Sequence, residues 1–205
     1  MTTDPSPESF RSRERKLSGE RGLTGLVLAG GRSRRMGVDK ATLLVDGRRL
    51  VDRAVSTLAE VCGEVLVATG TRTLDALAVA QVHDTGEGPL SGIVAGLHRC
   101  TTPLLAVLAV DMPAASAEVF RALAGQWTGE AGVAARADGV VQPLHAIYAT
   151  QGRESFAQLL AEGERSPTRA LEALGALIVD VGDAGFALNL NWPQGRGPVG
   201  PHAPG

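Results

Sequence analysis

Between about residue 22 and residue 192, apolar residues fall into short runs separated by polar, glycine-containing stretches. The run at 26–28 reads as a short buried strand. Over 50–61 the apolar positions Leu50, Val51, Ala54, Val55, Leu58, Ala59 and Val61 follow nearly helical spacing. Residues 64–69 read as a strand, 79–83 as a shorter one and 90–97 as a helix. The run at 104–110, bounded by Pro103 and Pro113, is continuously apolar and fits a central strand, and 115–124 is helical. Strands alternating with helices predict right-handed βαβ crossovers and a largely parallel, twisted sheet covered on both faces. The pattern then changes. Segments 132–136 and 140–148 flank Asp138-Gly139, a hairpin signal, so the second half adds antiparallel strands to this α/β fold. Segments 155–160 and 167–174 look helical, and 177–181 is a late strand.

The two ends differ from this core. Residues 1–21 are rich in Ser, Glu and Arg and read as a disordered leader, while 193–205 is dominated by Gly and Pro and reads as an irregular tail. That leaves one domain over 22–192, a length able to bury a proper core. With 44% hydrophobic and 20% charged residues the composition is that of a soluble globular protein. A net charge of −2 gives no bulk electrostatic case for nucleic acid or membrane, and no apolar stretch reaches bilayer length. Cys62 and Cys100 are too few and too far apart for a metal site or disulfide framework, so both are expected as packed thiols in a reducing cytoplasm. Basic residues cluster locally, at Arg32, Arg34 and Arg35 and again at Arg48-Arg49, a pattern suited to a small anionic ligand.

The first of these clusters stands in the most informative segment, Leu28-Ala29-Gly30-Gly31-Arg32-Ser33-Arg34-Arg35-Met36-Gly37-Val38-Asp39-Lys40, directly after the first strand. Gly30 and Gly31 can adopt positive φ and let phosphate oxygens reach backbone N–H groups, and the arginines with Lys40 supply charge. A cationic cluster beside a turn repels itself unless an anion is bound. The segment is neither a P-loop nor a G-x-G-x-x-G dinucleotide fingerprint, because Gly37 is followed by Val38-Asp39-Lys40-Ala41.

Ligands of open α/β sheets bind beyond the carboxyl ends of the strands, and three polar landmarks fall at such ends: the Gly30-Gly31 turn, Asp84 and Asp111. Parallel strands would bring them to one rim. Asp111, after a buried apolar run, reads equally as a ligand of Mg²⁺ shared with phosphates or as the N-cap of the next helix. Asp84 opens a Gly-rich loop that either places Ser91 and backbone groups against a base or ribose, or is plain surface. Asn189 and Asn191 alternate in an extended segment and so share a side, which suits phosphate and carbonyl contacts or a strand-edge turn. His83, His98, His145 and His202 fit no zinc spacing, and His145 is expected to be structural.

Taken together these residues resemble nucleotidyltransferases of the molybdenum cofactor guanylyltransferase type. The likeness runs through Leu28-Ala29-Gly30-Gly31, Arg35-Met36-Gly37, Asp39-Lys40, Asp84, Gly88-Pro89-Leu90-Ser91-Gly92, Val110-Asp111-Met112-Pro113, Gly163-Glu164-Arg165-Ser166 and Asn189-Leu190-Asn191. It implies a three-layer Rossmann-like domain that transfers GMP from GTP to molybdenum-bound molybdopterin, with Mg²⁺ as cofactor and pyrophosphate released. On this resemblance Leu28, Ala29, Gly30, Gly31, Arg35 and Lys40 hold the nucleotide, Asp84 binds it, Asp111 binds both it and the metal, and Lys40 and Asp111 are the catalytic pair. Arg165, Asn189 and Asn191 lie toward the pterin. Proteins that hand over molybdopterin and chaperones of molybdoenzymes are the implied partners. Cytidylyltransferase relatives read Leu-Ala-Ala-Gly in the first segment and lack the Gly-Pro-Leu-Ser-Gly form, so both features favour guanine. The alternatives are a cytidylyl- or sugar-phosphate nucleotidyltransferase, or a non-catalytic cofactor-delivery protein. The chain departs from the family pattern at Ala68, where many members carry Asn and Thr69 would have to substitute, and at Trp192.

Overall fold

The computed structural model describes residues 22–30, 39–112 and 115–181. The leader at 1–21, the tail at 193–205, and Gly31, Arg35, Asn189 and Asn191 lie outside the described residues.

Strands β1 (Leu23–Leu28), β4 (Glu64–Gly70), β5 (Ala80–His83) and β6 (Leu104–Ala109) alternate with helices α1 (Leu50–Ala59) and α2 (Pro89–Arg99). Helix α3 (Ala117–Gln126) leads to the hairpin β7 (Gly132–Ala137) and β8 (Val140–Ala149), then to α4 (Arg153–Ala161), α5 (Pro167–Ala173) and β9 (Leu177–Asp180). Among the described residues these strands form a seven-stranded sheet in the order β5-β4-β1-β6-β8-β7-β9. β1 pairs parallel with β4 and β6, β4 with β5, and β7 with β9, whereas β8 runs antiparallel to both β6 and β7. The expected antiparallel addition is therefore one reversed strand inserted into an otherwise parallel sheet. Its turn is the one foreseen at Asp138-Gly139, with Asp138 at φ 48°, as a two-residue primed turn requires.

The continuous apolar runs conceal a period of two. Leu23 and Val27 of β1, Val65 and Val67 of β4, and Leu104, Ala106 and Leu108 of β6 enter one core, against Leu50, Val51 and Leu58 of α1 and Phe120 and Leu123 of α3. The intervening residues Leu26 and Leu28, Leu66 and Ala68, and Leu105 and Val107 enter a second core, against Leu90, Ile93 and Leu97 of α2, Phe156 of α4 and Leu171 of α5. Both faces are apolar because both are covered, which makes the three layers. His145 is fully buried in β8, its ring centroid 4.5 Å from that of Phe120, and burial pushes its pKa down to about 4.

Sequence patterning overlooked a small antiparallel hairpin, β2 (Leu44–Val45) and β3 (Arg48–Arg49), turned at Asp46 with φ 52°. The Arg48-Arg49 cluster belongs to it and is spent internally rather than on a ligand. Arg49 makes a paired contact with Asp52 (2.7 and 2.8 Å) and donates to the carbonyls of Asp75 and Ala76. Arg48 donates to Ser56 Oγ. No helix among the described residues is long and apolar enough to cross a membrane.

Candidate active site

Parallel pairing puts the carboxyl ends of β1, β4, β5 and β6 on one rim, with Leu28 opposite Ala68 on one side and Ala109 on the other. Gly30, Asp84 and Asp111 follow directly from three of these ends, so the predicted convergence is present.

Lys40 and Asp111 meet on this rim, with Nζ 2.9 Å from Oδ2. Each side chain is about a quarter exposed, so the pair remains accessible from solvent. Lys40 begins a short 3₁₀ turn, Lys40–Thr42, whose N-cap Asp39 accepts a hydrogen bond from Ala41 N. The N-cap of α3 is Ser116, so the capping alternative for Asp111 falls away. Among the described residues no three His, Cys, Asp or Glu side chains gather into a metal cage. Asp111 offers a single, partly exposed carboxylate on the rim, a donor of the kind a hard divalent cation can take together with phosphate oxygens and water.

On the same rim is a small open recess of about 100 Å³. Leu28, Gly30, Ala68, Asp84, Gly88 and Gly92 are among its lining residues. The glycine at 30 is dictated by close approach: a Cβ there would stand 2.7 Å from Gly70 N. The reason differs from the one expected, since Gly30 has no left-handed φ. The N–H groups of Ala29 and Gly30 both donate to the Ala68 carbonyl, at 2.9 and 2.8 Å, so they stitch β1 to β4. Gly92 is the other tight position, where a Cβ would lie 2.9 Å from Leu28 Cδ2 and 3.3 Å from Ala68 Cβ.

Asp84 lines the recess, yet its carboxylate is already engaged by the protein. Oδ2 accepts from Gly70 N, and Oδ1 accepts from Gly86 N and Ser91 Oγ. It fixes the loop to β4 and to the start of α2. Ser91 is buried and faces Asp84 and the Gly88 carbonyl, so the notion that it contacts a base is corrected. Thr69 is buried too, with its hydroxyl 3.3 Å from His83 Nδ1, and Ala68 lines the recess in its stead.

Arg165 sits at the corner between α4 and α5 and reaches the same loop. Its Nη2 lies 2.9 Å from Glu87 Oε2, and Nη1 donates to the carbonyls of Leu160 and Glu164. Glu164 holds this corner, accepting from Arg169 and from the N–H groups of Ser166 and Arg165. The Arg169 guanidinium and those N–H groups hold its carboxyl down at about 2.

Sequence reasoning missed Arg72. It follows β4 and makes a two-pronged contact with Asp39, Nη1 to Oδ2 at 2.6 Å and Nη2 to Oδ1 at 2.8 Å. The same Nη2 donates to the Ala29 carbonyl at 2.7 Å. Its partners lie 33 and 43 positions away, so no local pattern signals the contact.

A family model described as a MobA-like NTP transferase domain matches residues 25–177. A probable molybdenum cofactor guanylyltransferase of Opitutus terrae is 42% identical over 160 residues, 74% of this chain and 79% of that protein. A relative of the same description in Chloroflexus aggregans is 37% identical over 190 residues, 84% of this chain and 90% of that one. The crystal structure of molybdopterin-guanine dinucleotide biosynthesis protein A from Archaeoglobus fulgidus superposes with a TM-score of 0.65 at 23% identity, covering 77% of this chain and 83% of that one, which is a likeness of fold.

Proposed function

Because this chain belongs to the family of MobA-like NTP transferase domains, we propose that it transfers GMP from GTP to molybdenum-bound molybdopterin. The observation that carries the transferase reading is the Lys40–Asp111 pair on the carboxyl rim, which also bears a recess lined largely by small residues. The guanine and molybdopterin assignments rest on the relatives that bear that description.

In the reaction, an oxygen of the terminal phosphate of molybdopterin forms a bond to the α-phosphorus of GTP. The bond from that phosphorus to the bridging oxygen breaks, and pyrophosphate leaves. Charge accumulates on the phosphate oxygens, so the protein contributes mainly position and electrostatics. Lys40 leaves Asp111 for the triphosphate, where its ammonium offsets the charge on the leaving group. Asp111 would hold Mg²⁺, which would supply charge neutralisation at the phosphates. The Gly30, Ala68 and Gly92 surfaces receive the base or ribose, with Asp84 keeping the loop against them. Arg165 stands on the acceptor side, and Gly31, Arg35, Asn189 and Asn191 join the site on the strength of the family pattern. The free, buried thiols of Cys62 and Cys100 suit a reducing cytoplasm.

The test is to incubate the protein with Mg²⁺, molybdenum-bound molybdopterin and each NTP in turn, measuring pyrophosphate and dinucleotide. Product with GTP is expected. Product with CTP alone would overturn the guanine assignment, and tight GTP binding without product would point to delivery rather than catalysis.

A further inference from the structure

We propose that Arg72 is a positioning residue that ties together the two ends of the nucleotide-binding segment and thereby sets Lys40 opposite Asp111. The inference rests on the transferase reading above.

One end of the segment is Ala29 and the other is Asp39. The Arg72 guanidinium reaches both, with the Ala29 carbonyl and both carboxylate oxygens of Asp39 all within 2.8 Å. Asp39 Oδ1 also caps the turn that begins at Lys40. A continuous path therefore runs from Arg72 through Asp39 and the capped turn to Lys40 and across to Asp111. The far end is secured from the same strand, since Ala29 N and Gly30 N donate to Ala68 O of β4, four positions before Arg72. β4 and its continuation hold both ends of the segment.

The planar guanidinium serves both carboxylate oxygens and a carbonyl at once in a fixed geometry, which the point-like ammonium of a lysine would not reproduce. At 34% and 27% exposure the pair is partly screened by water, which limits its share in stability. Its effect is geometric. Displacing a reacting group by about an ångström can cost on the order of 100-fold in rate.

The test compares Arg72→Ala, Arg72→Lys and Asp39→Asn, alone and in a Lys40→Met background, reading kcat, the affinity for Mg²⁺–GTP by calorimetry and the melting temperature. Asn at 39 can still cap the turn, so that variant removes the ion pair while keeping the cap. Arg72→Ala and Asp39→Asn are expected to lower kcat about 10- to 100-fold and by similar factors, with melting nearly unchanged. Their double variant should be no worse than either single one. In the Lys40→Met background neither should lower kcat further. Arg72→Lys should recover part of the loss. Unchanged kcat in Arg72→Ala overturns the proposal. So does a loss that Asp39→Asn does not reproduce, or one that persists at full size without Lys40, because Arg72 would then act on the substrate directly. Should Arg72→Ala fail to fold, Asp39→Asn and Arg72→Lys decide the matter by the same criteria. If the wild-type chain makes no guanine dinucleotide, the transferase reading fails. The GTP affinities then judge Arg72 separately: equal losses in Arg72→Ala and Asp39→Asn, absent in the Lys40→Met background, support the clamp, and any other result overturns it.

Discussion

Lys40 Nζ and Asp111 Oδ2 stand 2.9 Å apart although 71 positions separate them in the chain. They form an ion pair, which on the proposed function a triphosphate and its cation would part. Asp111→Ala and Lys40→Met are therefore expected to keep the fold and to lower kcat by roughly 100- to 1,000-fold, the range for a lost electrostatic stabiliser. Steady-state pyrophosphate release, with circular dichroism as the control for folding, checks both. Near-wild-type turnover of Asp111→Ala would remove it from the metal role.

Two glycines on the recess should respond differently to the same added methyl. At Gly92 the nearest obstacle is a side-chain methyl of Leu28 rather than backbone, and Ala gains about 1 kcal/mol of helix propensity within α2. Gly92→Ala should hold its melting temperature while nucleotide affinity weakens roughly tenfold. At Gly30 the obstacle is the Gly70 backbone, which cannot rotate away. Gly30→Ala should lower the melting temperature markedly. Calorimetric binding and thermal melts distinguish the two, and an unaltered melt for Gly30→Ala would contradict the close approach.

His145 gives stability a defined pH window. Its folded-state pKa is depressed to about 4 by burial, while the unfolded chain titrates near 6.5. Below about 6.5 the unfolded state takes up a proton that the folded state refuses, so stability falls as pH drops from 6.5 toward 4, by an amount on the order of 3 kcal/mol. Melting curves across that range should lose part of their slope in His145→Leu. Parallel curves for the two proteins would exclude His145 as the source.

Burial pushes the Cys62 thiol up to about 12, with Cys100 adding to the shift, so at pH 8 it carries almost no thiolate. Iodoacetamide should leave Cys62 unmodified in the native protein and label it in urea, as intact mass will report. Rapid native labelling of Cys62 would mean that this end of α1 opens readily.

The sheet was legible because its central strands are unbroken apolar runs between helical patterns, and because Asp138-Gly139 marks a turn strongly. β2 and β3 were not, since two-residue strands carry no period, although Asp46-Gly47 is the same type of signal. For the site, the position of Asp111 after a buried run foretold its place on the rim, yet only the observed N-cap at Ser116 separated its two readings. Arg48-Arg49 misled, because charge in sequence does not reveal whether a carboxylate such as Asp52 waits one turn away. Arg72 was invisible for the converse reason: the groups it joins meet only once β1 and β4 are paired. Asp84 was found by position, but two of its three contacts to the protein come from the N–H groups of left-handed Gly70 and Gly86, which its own sequence position does not reveal.

The reversed strand has one more consequence. β8 leaves its last β6 partner at His145, opposite Leu108, and 140–144 continues past that level alongside Ala135, Arg136 and Ala137 of β7. At about 3.4 Å per residue this overhang is roughly 15 Å long. The ledge that carries Asp111 is thus a step rather than a plain, with a parapet along its β8 flank. A molecule lying across Asp111 toward β8 would meet that parapet, so the reversed strand bounds the site from a side on which a purely parallel sheet would have left it level.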